Sequence, residues 1–170
     1  MKFSHIACCS LLVLLPPACE AQTTTAMNQI VKNGMSVNWQ IEGGHVRVVV
    51  TAPTSGWIAI GFNTTDELAG TNLIMGCVAE GKAVLSDRYI VAPGDHRSVK
   101  ELGGAPVARL LSGSEEIAST RIEFLLPLRA SDRWHHNLQA GNTYTLLLAF
   151  SQEDDFAHHS MMRTSTAITL

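Results

Sequence analysis

An all-β fold, a two-sheet antiparallel β-sandwich, is what this sequence predicts. Two patterns carry the prediction. Apolar residues alternate with polar ones over short runs, and Gly- or Pro-bearing turn signals interrupt those runs at near-regular spacing. No segment shows a convincing 3.6-residue period. Ser36 to Ile41 alternates strictly, with Val37, Trp39 and Ile41 on one face. Gly43-Gly44 signals a hairpin turn, and Val46 to Val50 returns as the second strand. Gly56 to Phe62 is a third strand, apolar on both faces and bounded by glycine. Asn72 to Ala79 is a fourth, turned by Glu80-Gly81 into Lys82 to Val91. Ala92 to Pro106 is rich in Gly and Pro and predicts a loop. Val107 to Leu111 predicts a short strand. Glu116 to Leu126 alternates again, placing Thr120, Ile122 and Phe124 together. Tyr144 to Phe150 and Thr164 to Leu170 close the domain.

The chain has 170 residues and a formal net charge of -3. Its first 21 residues have the pattern of a secretory signal peptide: Lys2, an apolar run from Ile6 to Leu15, and small residues around Cys19-Glu20-Ala21. The run is short for a membrane span, so no transmembrane segment is expected in the mature chain. Secretion or a periplasmic location follows as the expectation, with a lipid anchor on Cys19 as the lesser alternative. Residues 22–170 then form a single domain, large enough to fold without covalent staples. Cys8, Cys9 and Cys19 fall in or beside the leader, leaving Cys77 as a buried, inert thiol with no internal partner. A mildly acidic chain without a basic cluster argues against nucleic acid as partner.

The densest chemistry lies in Asp154-Asp155-Phe156-Ala157-His158-His159-Ser160-Met161-Met162-Arg163. Imidazole and thioether ligate haem iron and copper. The plain alternative is a polar loop running into a strand, with the methionines in the core. Trp134-His135-His136 predicts a surface turn with the Trp half buried, although an exposed indole also stacks on sugar faces. Asp95-His96 is expected in a solvated loop and His45 at a strand end. Asn63-Thr64-Thr65 fits a glycosylation acceptor. Trp39 and Trp57 fall at core phase. The chain contains no Gly-x-Ser-x-Gly elbow, no His-Glu-x-x-His pair and no phosphate loop, so a binding or electron-transfer module is expected rather than an enzyme.

Gly56-Trp57-Ile58-Ala59-Ile60-Gly61-Phe62-Asn63, followed by Leu68-Ala69-Gly70-Thr71-Asn72-Leu73-Ile74-Met75-Gly76, resembles the signature of DOMON domains. Asp87-Arg88-Tyr89 with Ala92-Pro93, Thr120 to Leu128, Tyr144 to Phe150 and His159 to Arg163 continue the resemblance in order, over about Val37 to Leu170. It implies an extracytoplasmic, immunoglobulin-like sandwich. Some members bind haem b as electron-transfer modules, as in the cytochrome domain of cellobiose dehydrogenase. Others are thought to bind sugars. In the haem-binding members a methionine follows the Gly-Trp strand and a histidine precedes an arginine by four residues. That spacing selects His159, four before Arg163. The methionine position falls on Leu68, which cannot ligate iron, and Met75 is the nearest thioether.

Three readings follow. One is haem b, with His159 as an axial ligand and Met75 or a second histidine as the other. The second is copper or zinc, held by His158, His159, Met161 and Met162. The third is a sugar- or protein-binding scaffold without a redox centre. The site is expected at the sandwich end where the Asp66 to Gly70 loop meets His158-His159. Strand phase turns Thr164, Thr166, Ile168 and Leu170 to the core, and with them Met162 and His158 if the chain stays extended. His159, Met161 and Arg163 then share the other face. A bulge at Ser160 exchanges the two histidines.

Overall fold

The computed structural model describes residues 27–170. The expected leader at 1–21, with Cys8, Cys9 and Cys19, lies outside the described residues. Eleven strands and no helix occur among them: β1 (Asn28–Lys32), β2 (Met35–Glu42), β3 (His45–Ala52), β4 (Ile58–Asn63), β5 (Asn72–Ala79), β6 (Lys82–Ala92), β7 (Asp95–Ser98), β8 (Arg109–Glu116), β9 (Ser119–Pro127), β10 (Thr143–Phe150) and β11 (Met162–Thr169). They form two antiparallel sheets, ordered β1-β2-β3-β9-β8 and β11-β10-β4-β5-β6-β7.

The alternation in the sequence translates directly into the core. Val37 and Trp39 of β2, Val46, Val48 and Val50 of β3, and Ile122, Phe124 and Leu126 of β9 face Ile58, Ile60 and Phe62 of β4, Ile74 of β5 and Leu146, Leu148 and Phe150 of β10. Period-2 alternation puts one set of side chains on the inner face, and burying each large aliphatic or aromatic side chain contributes about 1.5–3 kcal/mol. β11 follows the predicted phase: Met162, Thr164, Thr166 and Ile168 turn inward and Arg163 outward.

Four local expectations change. Residues 28–32 add an unforeseen edge strand, β1, joined to β2 through Asn33-Gly34, both at positive φ (48° and 83°). Asn-Gly is a strong hairpin signal because both positions tolerate the left-handed region. β8 runs to Glu116, and the turn into β9 falls at Ile117-Ala118 rather than earlier. Part of the predicted loop is strand: Asp95–Ser98 pairs with the end of β6 across a bulge between Ile90 and Ala92. Finally, Ile41 is exposed instead of sharing the buried face of Val37 and Trp39, because it lies at the open end of β2.

β4 is buried at all six positions, and β5 and β10 are buried over most of their length. Antiparallel strands of a sandwich usually leave their outer face to solvent. Here that face carries a second apolar cluster of Trp57, Ala59, Leu73, Met75, Cys77, Ile90, Leu147 and Ala149. The 151–161 segment, which joins β10 to β11, covers part of it through Phe156.

Candidate ligand pocket

The covering segment is tied to the start of β4 by backbone bonds. Trp57 N–H donates to Glu153 O at 3.0 Å and Ser151 N–H donates to Trp57 O at 3.0 Å. The Thr54 hydroxyl donates to Ser151 O and accepts from Gly56 N–H. Gly56 lies so close to the backbone of Gln152 and Glu153 that any Cβ there would collide with it. Absence of a side chain at position 56 therefore lets the segment reach the sheet.

A second support shapes the opposite end. Asn63, 3 % exposed, donates from Nδ2 to Glu67 O (2.8 Å), Ala69 O (3.2 Å) and Thr71 Oγ1 (3.1 Å), and its Oδ1 accepts from Thr64 N–H (2.7 Å). This side chain organises the β4–β5 loop as an Asx-type turn. Its buried, fully engaged amide is therefore structural in the folded domain, not the surface acceptor suggested by the Asn-x-Thr pattern.

Between these supports lies a pocket of about 130 Å³ that opens to solvent. Its floor is the apolar outer face of β4, β5 and β10, with Ala59, Leu73, Met75, Leu147 and Ala149; Leu68 and Ile90 stand at one end, Trp57 also lines it, and Gly94, Asp95 and His96 approach from the β6–β7 hairpin. His158, His159, Ser160 and Arg163 line it from the covering segment and β11. The sequence-derived candidates His158, His159 and Met75 thus border one cavity, together with Leu68. The cavity lies against the sheet's outer face rather than in the loops at the sandwich end.

The four-residue copper or zinc set does not come together. Met162 turns to the inner face and its sulfur meets Asn33 Nδ2, whereas Met161 is exposed and outside the pocket lining. Among the described residues no group of three or more His, Cys, Asp or Glu side chains is placed to hold a metal ion. Alternation of a strand sends adjacent methionines to opposite faces, which separates their sulfurs.

Trp57, placed by phase in the main core, instead packs on the outer face, 3 % exposed, with its Nε1–H buried and without an acceptor among the described residues. His96 is not in a solvated loop. It sits on β7, half buried, with Nδ1 accepting from Arg88 Nε–H at 2.9 Å. Burial, and then the Arg88 guanidinium, push its imidazole below its ordinary value.

Trp134 lies in a turn and is half buried, as expected, but His135 beside it is buried rather than at the surface. The His135 side chain is 2 % exposed, and its two ring nitrogens face carboxylates: Nε2 lies 3.1 Å from Asp87 Oδ2 and Nδ1 lies 2.7 Å from Asp132 Oδ1. Burial opposes the imidazolium, but hydrogen bonds and the fields of Asp87 and Asp132 outweigh it, and the net shift is upward. Its neighbour His136 bonds through Nε2 to Gly70 O at 2.8 Å. This pair pins the loop bearing Leu68 and does not join His158-His159. Trp134 meets Tyr89 edge-on at 5.1 Å and is covered by Arg133, 4.2 Å from its centroid. Those contacts occupy the ring that a sugar would need.

Cys77 is buried beneath the same covering segment. Burial first, then Asp154 and Glu115, push its thiol up to about 11 from 9.0. Two units mean about 100-fold less thiolate at a given pH below both values. Alkylation by iodoacetamide at pH 8, read by mass mapping of the Cys77 peptide, should be at least 100-fold slower in the native than in the denatured chain. Comparable rates would show that the segment does not protect it.

A sandwich with an apolar, partly capped outer face and imidazoles over it defines a ligand-binding module of the DOMON type. The DOMON domain profile matches residues 31–151, and the chain belongs to that family. Two solved structures share the fold: the cytochrome b domain of pyranose dehydrogenase from Coprinopsis cinerea (TM-score 0.64, 12 % identity, 84 % of this chain and 81 % of that one) and the cytochrome domain of Myriococcum thermophilum cellobiose dehydrogenase (TM-score 0.61, 11 % identity, 85 % and 81 %). Among curated proteins, MOXD1 homolog 2 of Drosophila melanogaster is 27 % identical over 128 residues. That match takes in 75 % of this chain and only 16 % of the fly protein. No helix among the described residues is long and apolar enough to cross a membrane.

Proposed function

We propose that this domain is an extracytoplasmic, non-catalytic module that binds haem b against the outer face of its six-stranded sheet and passes electrons to a redox partner. The observation that carries the reading is the pocket itself: an apolar sheet face with an imidazole pair on one wall and a thioether in the floor. The fold shared with two cytochrome domains supports it.

The donor set fits the group. His159 or His158 from the covering segment and Met75 from β5 would hold the haem, since imidazole and thioether are both iron ligands. Leu68 offers no donor. The spacing to Arg163 favours His159 over His158. Haem, when bound, supplies a one-electron centre. The chain's contribution is an apolar floor that excludes water, imidazole and thioether donors, and Arg163 at the rim.

Adding haemin to the purified apoprotein and recording the visible spectrum tests the proposal. A saturable Soret shift with one equivalent bound, and reversible reduction by dithionite, are expected. A spectrum identical to free haemin sinks it and leaves a scaffold that binds some other ligand. Extracytoplasmic placement rests on the N-terminal 21 residues and is checked by the N-terminal sequence of the exported protein.

A further inference from the structure

His96 lines the ligand pocket in a fixed tautomer. A guanidinium only donates, so the Arg88 Nε–H bond of 2.9 Å takes the lone pair of His96 Nδ1. Arg88 Nη2 also reaches His96 O at 3.3 Å, holding side chain and backbone of the same residue. The neutral ring then carries its proton on Nε2. That nitrogen meets no acceptor among the described residues, and His96 lines the pocket. An Nε2 that bears a proton cannot ligate iron. It can only donate a hydrogen bond to something in the pocket.

The charges around it point to the class of acceptor. Asp95, the adjacent carboxylate, is closed off by Arg97 in a two-pronged pair (3.2 and 2.8 Å). Arg163, on the same lining, makes no ion pair among the described residues. The rim thus presents donors and positive charge above an apolar floor, which suits an apolar body bearing carboxylates.

Building on the haem reading above, we propose that His96 is the specificity residue for the ligand's carboxylate edge: its Nε2–H donates to a propionate of the bound porphyrin, and Arg88 is the positioning residue that fixes the tautomer. A charge-assisted hydrogen bond of this kind is roughly twice as strong as a neutral one, and removing the charge from the acceptor weakens it.

The test compares haemin with haemin dimethyl ester, each titrated into the wild-type chain and into variants by Soret absorbance. The wild type should bind haemin at least 10-fold more tightly than the diester. His96→Phe should erase most of that preference while still binding both. His96→Gln keeps an N–H donor and should restore part of it. Arg88→Met should reduce the preference with His96 intact. His45→Ala, at the remote end of β3, should leave it unchanged. Equal affinity of the wild type for both porphyrins overturns the assignment and leaves the haem reading standing. So does a preference that survives His96→Phe but vanishes in Arg163→Gln, which moves recognition to the arginine. Absence of any Soret shift with either porphyrin overturns both.

Discussion

Replacing Asp87 by alanine should destabilise the domain by about 3–5 kcal/mol, the loss seen when one partner of a buried ion pair is removed. The Asp87 side chain is 1 % exposed and gathers donors from four residues. Oδ1 accepts from Asn72 Nδ2 at 2.9 Å, and Oδ2 accepts from Val107 N–H at 2.9 Å, Ala108 N–H at 3.3 Å and His135 Nε2 at 3.1 Å. Alanine strands all four, and each buried unpaired donor costs about 1–3 kcal/mol. Denaturant unfolding of the variant measures the effect; a loss below about 1 kcal/mol would mean that water replaces the carboxylate.

The same cluster predicts a pH dependence with a definite sign. His135 has its folded value raised above 6.5, so its contribution is fully present below about 6.5 and is lost as pH rises through the raised value. Asp132 moves the other way. Burial works against its charge, but the Trp134 amide and His135 lower it below 3.8 overall, so its contribution is present above that value and is lost as pH falls through the lowered one. Stability from this cluster is therefore greatest between the two windows, in mildly acidic solution. His135→Gln should flatten the alkaline limb. An unchanged pH profile in that variant would place the titration elsewhere.

His159→Ala should abolish haem binding, with loss of the Soret shift at micromolar protein and little change in thermal stability. The imidazole lies on an exposed part of the covering segment, so its removal leaves no core cavity. Surface changes of this kind are usually within about 0.5 kcal/mol. His158→Ala is the necessary companion, since both rings line the pocket. Met75→Leu separates ligation from packing. Met75 is 1 % exposed, and a swap of similar volume costs under about 1.5 kcal/mol. It should retain the fold and still bind haem, but lose the thioether's signature in the reduced spectrum. Undiminished binding by the His158/His159 double variant would remove these residues from the site.

The fold was largely legible because alternation is a local property. Val37 and Trp39 on β2, or Ile122 and Phe124 on β9, state their buried face within a few residues of chain. The short strands were not, because β7 spans only Asp95–Ser98 and is defined by its partner β6 rather than by its own pattern. One sign of the pocket was also present: Gly56 to Phe62 is apolar on both faces, and an antiparallel strand apolar on both faces must be covered twice.

By itself, the sequence determined the sandwich, the family resemblance and the concentration of imidazole and thioether before β11. Tertiary structure alone decided which of these groups meet. It placed Met75 and Trp57 on the outer face, brought His96 to the pocket through a four-residue strand, and buried His135 between Asp87 and Asp132, 48 positions earlier and three earlier in the chain. The physical reason is range. Side-chain alternation and turn preference act between neighbours in sequence, whereas hydrogen bonds, ion pairs and desolvation depend on distances that exist only once the two sheets have packed.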